Sequence, residues 1–284
     1  MAVSIVTDST SDIEPAKAEQ LGITVVPLFV LFGERSYKDY VELSRSEFYR
    51  KLQTESVLPI TSQPTAAMYE EAFKPLVEAG DDILCLAISS HLSGTMNAAR
   101  AGAERFPNAK ITIYDSESVA SGLGMMVLHA RDLAAGGAIV PEIVAELDAW
   151  RATQRLYACI PDLSHLQRTG RIGKARAVLG TLMKIVPVLA LKDGQVGAEV
   201  QVRTFARAQE TMLDLIVAAA PQPAEARFVV VHTNAPHLAE AAMTKLRERL
   251  RGVLPRTLEI WEAGPVIATH AGAGAVGAFA AQGE

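Results

Sequence analysis

Apolar residues recur along this chain in short runs, and stretches of helical spacing separate them. Residues 3–6 form the first run, which ends in the turn- and cap-rich segment TDSTSD (7–12). IEPAKAEQLG (13–22) then predicts a helix closed by Gly22. ITVVPLFVLFG (23–33) is a second apolar run, in which Pro27 predicts an edge or a kink. TSQPTAAMYEEAFKPLVEAG (61–80) has Thr65 as an N-cap and Gly80 as a stop. DILCLAIS (82–89) is continuously apolar, as a strand buried on both faces is. ISSHLSGTMNAAR (88–100) follows it and changes from strand-like to small-residue helical spacing. AKITIYDSES (109–118) is another strand, ending in Asp115-Ser116. A helical pattern with Gly122 and Gly124 comes next, then a helix in VPEIVAELDAWRATQ (140–154). Strand and helix alternating at this spacing predict an α/β domain with a largely parallel sheet.

Beyond about residue 155 the texture changes. RLYACIP reads as a strand, followed by a basic loop, a helix and a hairpin signal at Asp193-Gly194. ARFVVVHTN (226–234) is a buried strand, PHLAEAAMTKLRERLRG (236–252) an amphipathic helix, and VIATH (266–270) a further strand. This half reads as mixed α+β. The expected organisation is therefore an N-terminal α/β domain over 1–155 and a C-terminal α+β domain over 156–284.

Composition narrows the function. The 284 residues are 49% hydrophobic and 21% charged, with a net charge of −5. Nucleic acid is not expected as a partner, because phosphate binding needs a concentrated basic face. The one locally basic stretch, 168–176, is short and on spacing alone reads as a solvated loop. The N-terminus lacks a basic region leading into an apolar one, and no apolar run is long enough to span a bilayer. Cys85 and Cys159 sit inside strand-like runs and read as buried thiols in a reducing compartment. The expected location is the cytoplasm.

Motifs narrow it further. Gly272-x-Gly274-x-x-Gly277 has the letters of a dinucleotide fingerprint, but the second strand and acidic residue that such a site needs do not follow it. Those glycines are expected to allow tight turning or close backbone approach beside His270. There is no P-loop pattern, and the six histidines are scattered, so neither a nucleotide nor a metal is expected. Three roles are open to Ser93: a nucleophile, an anion ligand at a helix start, or a helix cap. The nucleophile pattern G-x-S-x-G is not met by Ser-His-Leu-Ser-Gly-Thr. A strand that ends in Ser-Gly-Thr and opens a helix aims unpaired N–H groups at one spot, and Gly94 admits a ligand close to the backbone. Comparable hydroxyl-rich ends occur at 7–12, 61–65 and 115–118. In a parallel sheet such ends gather on one edge, where ligands bind.

The ordered set DSTSD (8–12), TSQPT (61–65), SSHLSGT (89–95), Asp115-Ser116, GRI (170–172) and GPVIATHAGAG (264–274) resembles the DegV family of bacterial fatty acid-binding proteins over nearly the full length. The resemblance implies a DegV-type fold of two domains with a lipid tunnel between them, holding one long-chain fatty acid. It implies that Thr61 and Ser93, with the Gly94 backbone, hold the carboxylate and that His270 approaches it. Ser62 and Thr95 are candidate supporting residues, and Arg171 and Arg203 candidates for the pocket mouth or a partner-facing surface. The family often has Gly-Gly-Arg-Ile where this chain has Thr169 to Ile172, and His-Thr-Gly-Pro-Gly where it has His270 to Gly274.

The implied role is a carrier, not an enzyme. It presents the acid to a separate ATP-dependent fatty acid kinase, which makes an acyl-phosphate for phospholipid synthesis. No cofactor other than the bound acid is implied. The chemistry is consistent: a carboxylate taken from water needs charge-assisted donors or it protonates. At roughly 0.8 kcal/mol per buried methylene, a palmitate-like chain of about sixteen carbons supplies on the order of 10 kcal/mol before costs. The alternatives are a serine hydrolase or acyltransferase using Ser93 and His270, and a carrier of another amphipathic acid.

Overall fold

A computed structural model of the chain describes residues 2–178 and 185–283. The chain divides into two compact units, Met1–Ala149 with Gly264–Val266, and Trp150–Ala263 with Ile267–Glu284.

The first unit is built on parallel strands. β1 (Val3–Asp8), β2 (Thr24–Val26), β6 (Asp82–Ala87) and β7 (Ile111–Asp115) form a sheet in the order β2-β1-β6-β7. Every residue of β6 after Asp82 is buried, which is why its sequence is an unbroken apolar run. A second, antiparallel sheet has the order β4-β3-β5, from β3 (Phe29–Phe32), β4 (Arg35–Lys38) and β5 (Ile60–Ser62). The single apolar run at 23–33 thus splits around Pro27 into β2 and β3, which belong to different sheets. Pro27 lacks the N–H that a continuous central strand would need to donate.

The helices of this unit are α1 (Pro15–Gln20), α2 (Arg45–Thr54), α3 (Ala66–Glu78), α4 (Thr95–Ala103), α5 (Ser121–Ala135) and α6 (Val140–Thr153), the last running into the second unit. Thr65 caps α3 by accepting from the Met68 N–H. Helices α3 and α4 pack on one another and on β6. Tyr69, Phe73, Ile83 and Cys85 fill the core beside them.

The second unit holds one six-stranded sheet, β10-β9-β8-β13-β11-β12. Its strands are β8 (Arg155–Cys159), β9 (Val186–Lys192), β10 (Gln195–Val202), β11 (Ala226–His232), β12 (Thr257–Glu262) and β13 (Val276–Gln282). Only the β11–β12 pair is parallel. Asp193 and Gly194 turn β9 into β10 with φ of 50° and 71°, as a two-residue hairpin requires. The helices are α7 (Ser164–Arg168), α8 (Phe205–Ala218), α9 (Pro236–Leu250) and α10 (Pro265–Ala271), which starts in the first unit. Helices α8 and α9 bury Met212, Leu213, Ile216, Met243 and Leu246 against the sheet. The helix expected after the basic loop falls partly on 179–184, outside the described residues.

One expected element differs. VIATH is not a strand but most of α10. Val, Ile and Thr favour strands, yet Pro265 presets a helical φ at the first position, and Gly272 at φ 71° ends the helix. Both cysteines are free and buried, and burial pushes the Cys159 thiol up to about 12. No helix among the described residues is long and apolar enough to cross a membrane.

Candidate functional site

Most of the hydroxyl-rich strand ends in the first unit are occupied in holding one another. Asp8, at the end of β1, accepts from the Ile88 N–H at 2.8 Å and from the Thr10 N–H and hydroxyl at 3.0 and 2.5 Å. Ser9 accepts from the Leu28 N–H, and Ser116 donates to the Ala87 carbonyl at 2.7 Å. Asp115 accepts from the Ser90 and Glu117 N–H groups. These bonds tie the carboxyl ends of β1, β6 and β7 together. They give Asp8, Ser9, Thr10, Asp115 and Ser116 roles within the fold itself.

The corner after β6 is different. The chain leaves β6 and turns through Ser89, whose carbonyl accepts from the Leu92 and Ser93 N–H groups at 2.9 and 3.1 Å. Helix α4 then opens at Thr95 with Gly94 as N-cap and no side-chain cap on it. The Ser93 hydroxyl lies 2.8 Å from that of Thr95 and accepts from the Thr95 N–H at 3.3 Å. Ser93 is half-buried and Thr95 fully buried. In its own unit Ser93 thus bonds a threonine and no histidine. Of the first amides of α4, that of Thr95 donates to Ser93 and those of Asn97 and Ala98 to the Gly94 carbonyl, and a helix start of this kind favours negative charge.

Gly94 is required here for space, not for its torsions. Its φ of −79° suits any residue, but a Cβ would stand 2.1 Å from Oε1 of Gln63. The exposed Gln63 carboxamide therefore lies on the Gly94 backbone, which sets TSQPT against SGT. Thr61 is two residues before Gln63, on β5, opposite Val30 in the β3–β5 ladder, and is half-buried. Ser62 is exposed. The first unit thus gathers the stretches of Thr61, Ser62, Ser93, Gly94 and Thr95. Gln63, which sequence reasoning passed over, joins them. The only hint of it was a glycine beside a serine, and no torsional signal marks that glycine.

This contact makes a testable distinction. Gln63 is a flexible, exposed side chain, so Gly94→Ala displaces it at little cost to folding. The expected result is a melting temperature within a few degrees of wild type and several-fold weaker ligand binding, read by thermal melting and by titration.

His270, Arg171 and Arg203 belong to the second unit. His270 lies on α10, and burial holds its imidazole down to about 3, with Arg171 and Arg168 adding to the shift. It is neutral at pH 7, a ring that can donate or accept one hydrogen bond, not a standing cation. Arg171 is half-buried and donates to the Thr169 carbonyl at 2.6 Å. Beside it Ile172 packs with Leu166, Leu189 and Ala275. Arg203 is exposed, and its neighbour Thr204 caps α8.

After His270 the chain turns on Gly272 and Gly274, at φ 71° and 86°, and the Gly272 carbonyl accepts from the Thr233 hydroxyl at 2.6 Å. A Cβ on Gly272 would stand 2.9 Å from the ring of His165, so the glycine admits a second histidine. No group of three or more His, Cys, Asp or Glu side chains among the described residues is placed to hold a metal ion.

The family model described as uncharacterised protein, DegV family, matches residues 2–283. A DegV family protein from Thermus thermophilus, described for its fatty acid binding, is 34% identical and superposes with a TM-score of 0.90, covering 99% of this chain and 100% of that one. DegV of Bacillus subtilis, described as a fatty acid binding protein, is 30% identical with a TM-score of 0.91 and covers the whole of both chains. A stearic acid-binding protein from Eubacterium ventriosum is 27% identical with a TM-score of 0.89, covering 99% and 98%. This chain belongs to the DegV family.

Proposed function

We propose that this protein binds one long-chain fatty acid and holds its carboxylate at the corner where β6 turns into α4. The observation that carries this reading is the corner itself: the Ser93 and Thr95 hydroxyls stand together at the start of α4 beside the Gly94 amide, and Gln63, two residues after Thr61, lies on the Gly94 backbone, so that hydroxyl and amide donors are at hand. An ionised carboxylate accepts all of these, and hydrogen bonds to a charged acceptor are each worth about 1.5–3 kcal/mol. Relatives that superpose over the full chain are described as fatty acid-binding proteins, which supports the choice of acid. His270 is assigned to the same ligand as a neutral hydrogen-bonding ring.

In this reading the protein is a cytoplasmic carrier without a reaction of its own. It offers the carboxylate to a separate ATP-dependent kinase, which forms an acyl-phosphate for phospholipid synthesis. Arg171 and the exposed Arg203 are partner-facing candidates.

Lipid extraction and mass spectrometry of the purified chain test the reading. One long-chain acid per chain is expected, with no labelling of Ser93 by a serine-reactive fluorophosphonate. An extract free of fatty acid, together with no uptake of added palmitate or stearate, overturns it. Labelling at Ser93 favours the hydrolase or acyltransferase instead.

A further inference from the structure

The first unit buries a group of titratable side chains that the carboxylate site leaves unused. Asp12, 2% exposed, follows the turn Ser9–Ser11. Its Oδ1 accepts from the Gly264 N–H at 2.8 Å and from the Tyr40 hydroxyl at 3.2 Å. Arg45 donates to the Tyr40 oxygen at 2.9 Å, stands 5.0 Å from the ring centroid, and also pairs with Glu14. Gly264 is pressed onto the same ring: a Cβ there would stand 2.6 Å from it. Tyr40 is itself held at φ 61°, a left-handed conformation that costs a bulky residue about 1–3 kcal/mol unless its surroundings enforce it. Gly264, Pro265 and Val266 are counted with this unit, and Pro265 is the first residue of the helix that carries His270.

We propose that Asp12 is a positioning residue for α10: braced by Tyr40 and Arg45, it fixes the Gly264 amide and so the point at which the helix carrying His270 begins. The effect on ligand binding rests on the assignment of His270 above; the fastening itself does not.

The charged groups around Asp12 give this fastening a pH dependence. Burial raises its carboxyl to about 7, although the Gly264 N–H, Arg45 and the Tyr40 hydroxyl all favour the ionised form; Glu14 adds to the rise. Asp39, 1% exposed and beside Ser9 and the Val266 backbone, is raised by burial and further by Asp12. When the fastening opens, Asp12 returns toward its ordinary value of 3.8. Between about 4 and 7 the open form therefore holds fewer protons than the closed one, so opening becomes easier as pH rises and levels off above about 7.

Amide exchange of Gly264 in the full-length protein, followed by NMR with the His270 ring resonances, tests this. In wild type the opening equilibrium is expected to rise tenfold or more between about pH 5 and 7. Asp12→Asn keeps an acceptor oxygen but does not titrate, and it is expected to remove most of that rise. Tyr40→Phe is expected to raise opening several-fold at every pH, and both variants to shift the His270 resonances. A structural role alone would lower the melting temperature and leave the pH profile as it was. An undiminished rise in Asp12→Asn, or unmoved His270 resonances in both variants, overturns the proposal. Full lipid retention in His270→Ala, with the Asp12→Asn profile flattened, overturns the ligand role of His270 and upholds the fastening.

Discussion

Replacing Thr61 and Ser93 together with alanine is expected to strip the purified protein of its fatty acid. Each hydroxyl lost removes a donor to an ionised oxygen, about 1.5–3 kcal/mol apiece, so binding should weaken by roughly 10²–10⁴-fold. The acyl chain is untouched, and its burial supplies most of the affinity. The carboxylate, however, is left short of donors while its acyl chain stays buried, and it must then protonate or leave. Folding should survive, because the bonds of Ser93 are local: it accepts from the Thr95 N–H, a cap worth about 1 kcal/mol, and shares a hydrogen bond with the Thr95 hydroxyl. Lipid extraction with mass spectrometry measures occupancy, and a thermal melt of the same sample checks the fold. A folded double variant with full occupancy would remove Thr61 and Ser93 from the site.

The parts of this site that lay open in the sequence are those written in local patterns. The apolar runs of β6 and β11 are buried at all but one position each, and a buried strand has little else to be made of. Thr65 was legible as a cap because an oxygen before a helix has one common use. Long-range choices were not legible. The sequence does not say that Val26 and Phe29 part company into two sheets, or that β13 lies between β8 and β11. The helix at VIATH was hidden by its β-favouring residues, since Pro265 and Gly272 act from outside the word. Serine and threonine content suggested several ligand-bearing strand ends, yet Asp8 and Thr10 bond each other and Ser116 bonds the Ala87 carbonyl at the end of β6. Gln63 was invisible because its role is a contact with a backbone thirty-one positions away. The neutrality of His270 was also hidden, because burial and two arginines decide it.

Gly102→Ala is expected to destabilise the fold although it adds a single carbon to a helix. In an exposed helix this substitution stabilises by up to about 1 kcal/mol. In α4 the new Cβ would stand 2.6 Å from Cβ of Tyr69 and 2.8 Å from the carbonyl oxygen of Ala66. Neither can swing away. Ala66 is the first residue of α3, and Tyr69 is wholly buried in the core. The helices must move apart instead, and overpacking of this kind costs about 1–3 kcal/mol, which outweighs the gain in helix propensity. A fall of several degrees in melting temperature is expected. The same separation reaches the ligand site, since α3 begins just after TSQPT and α4 begins just after Ser93 and Gly94. The clash falls on the first turn of α3, directly after TSQPT, and displacing that end draws Gln63 off Gly94. Lipid occupancy should therefore fall in Gly102→Ala even at temperatures where the protein remains folded. A variant that melts early but keeps its acid would mean that the corner is held by the β3–β5 ladder and not by the helix pair.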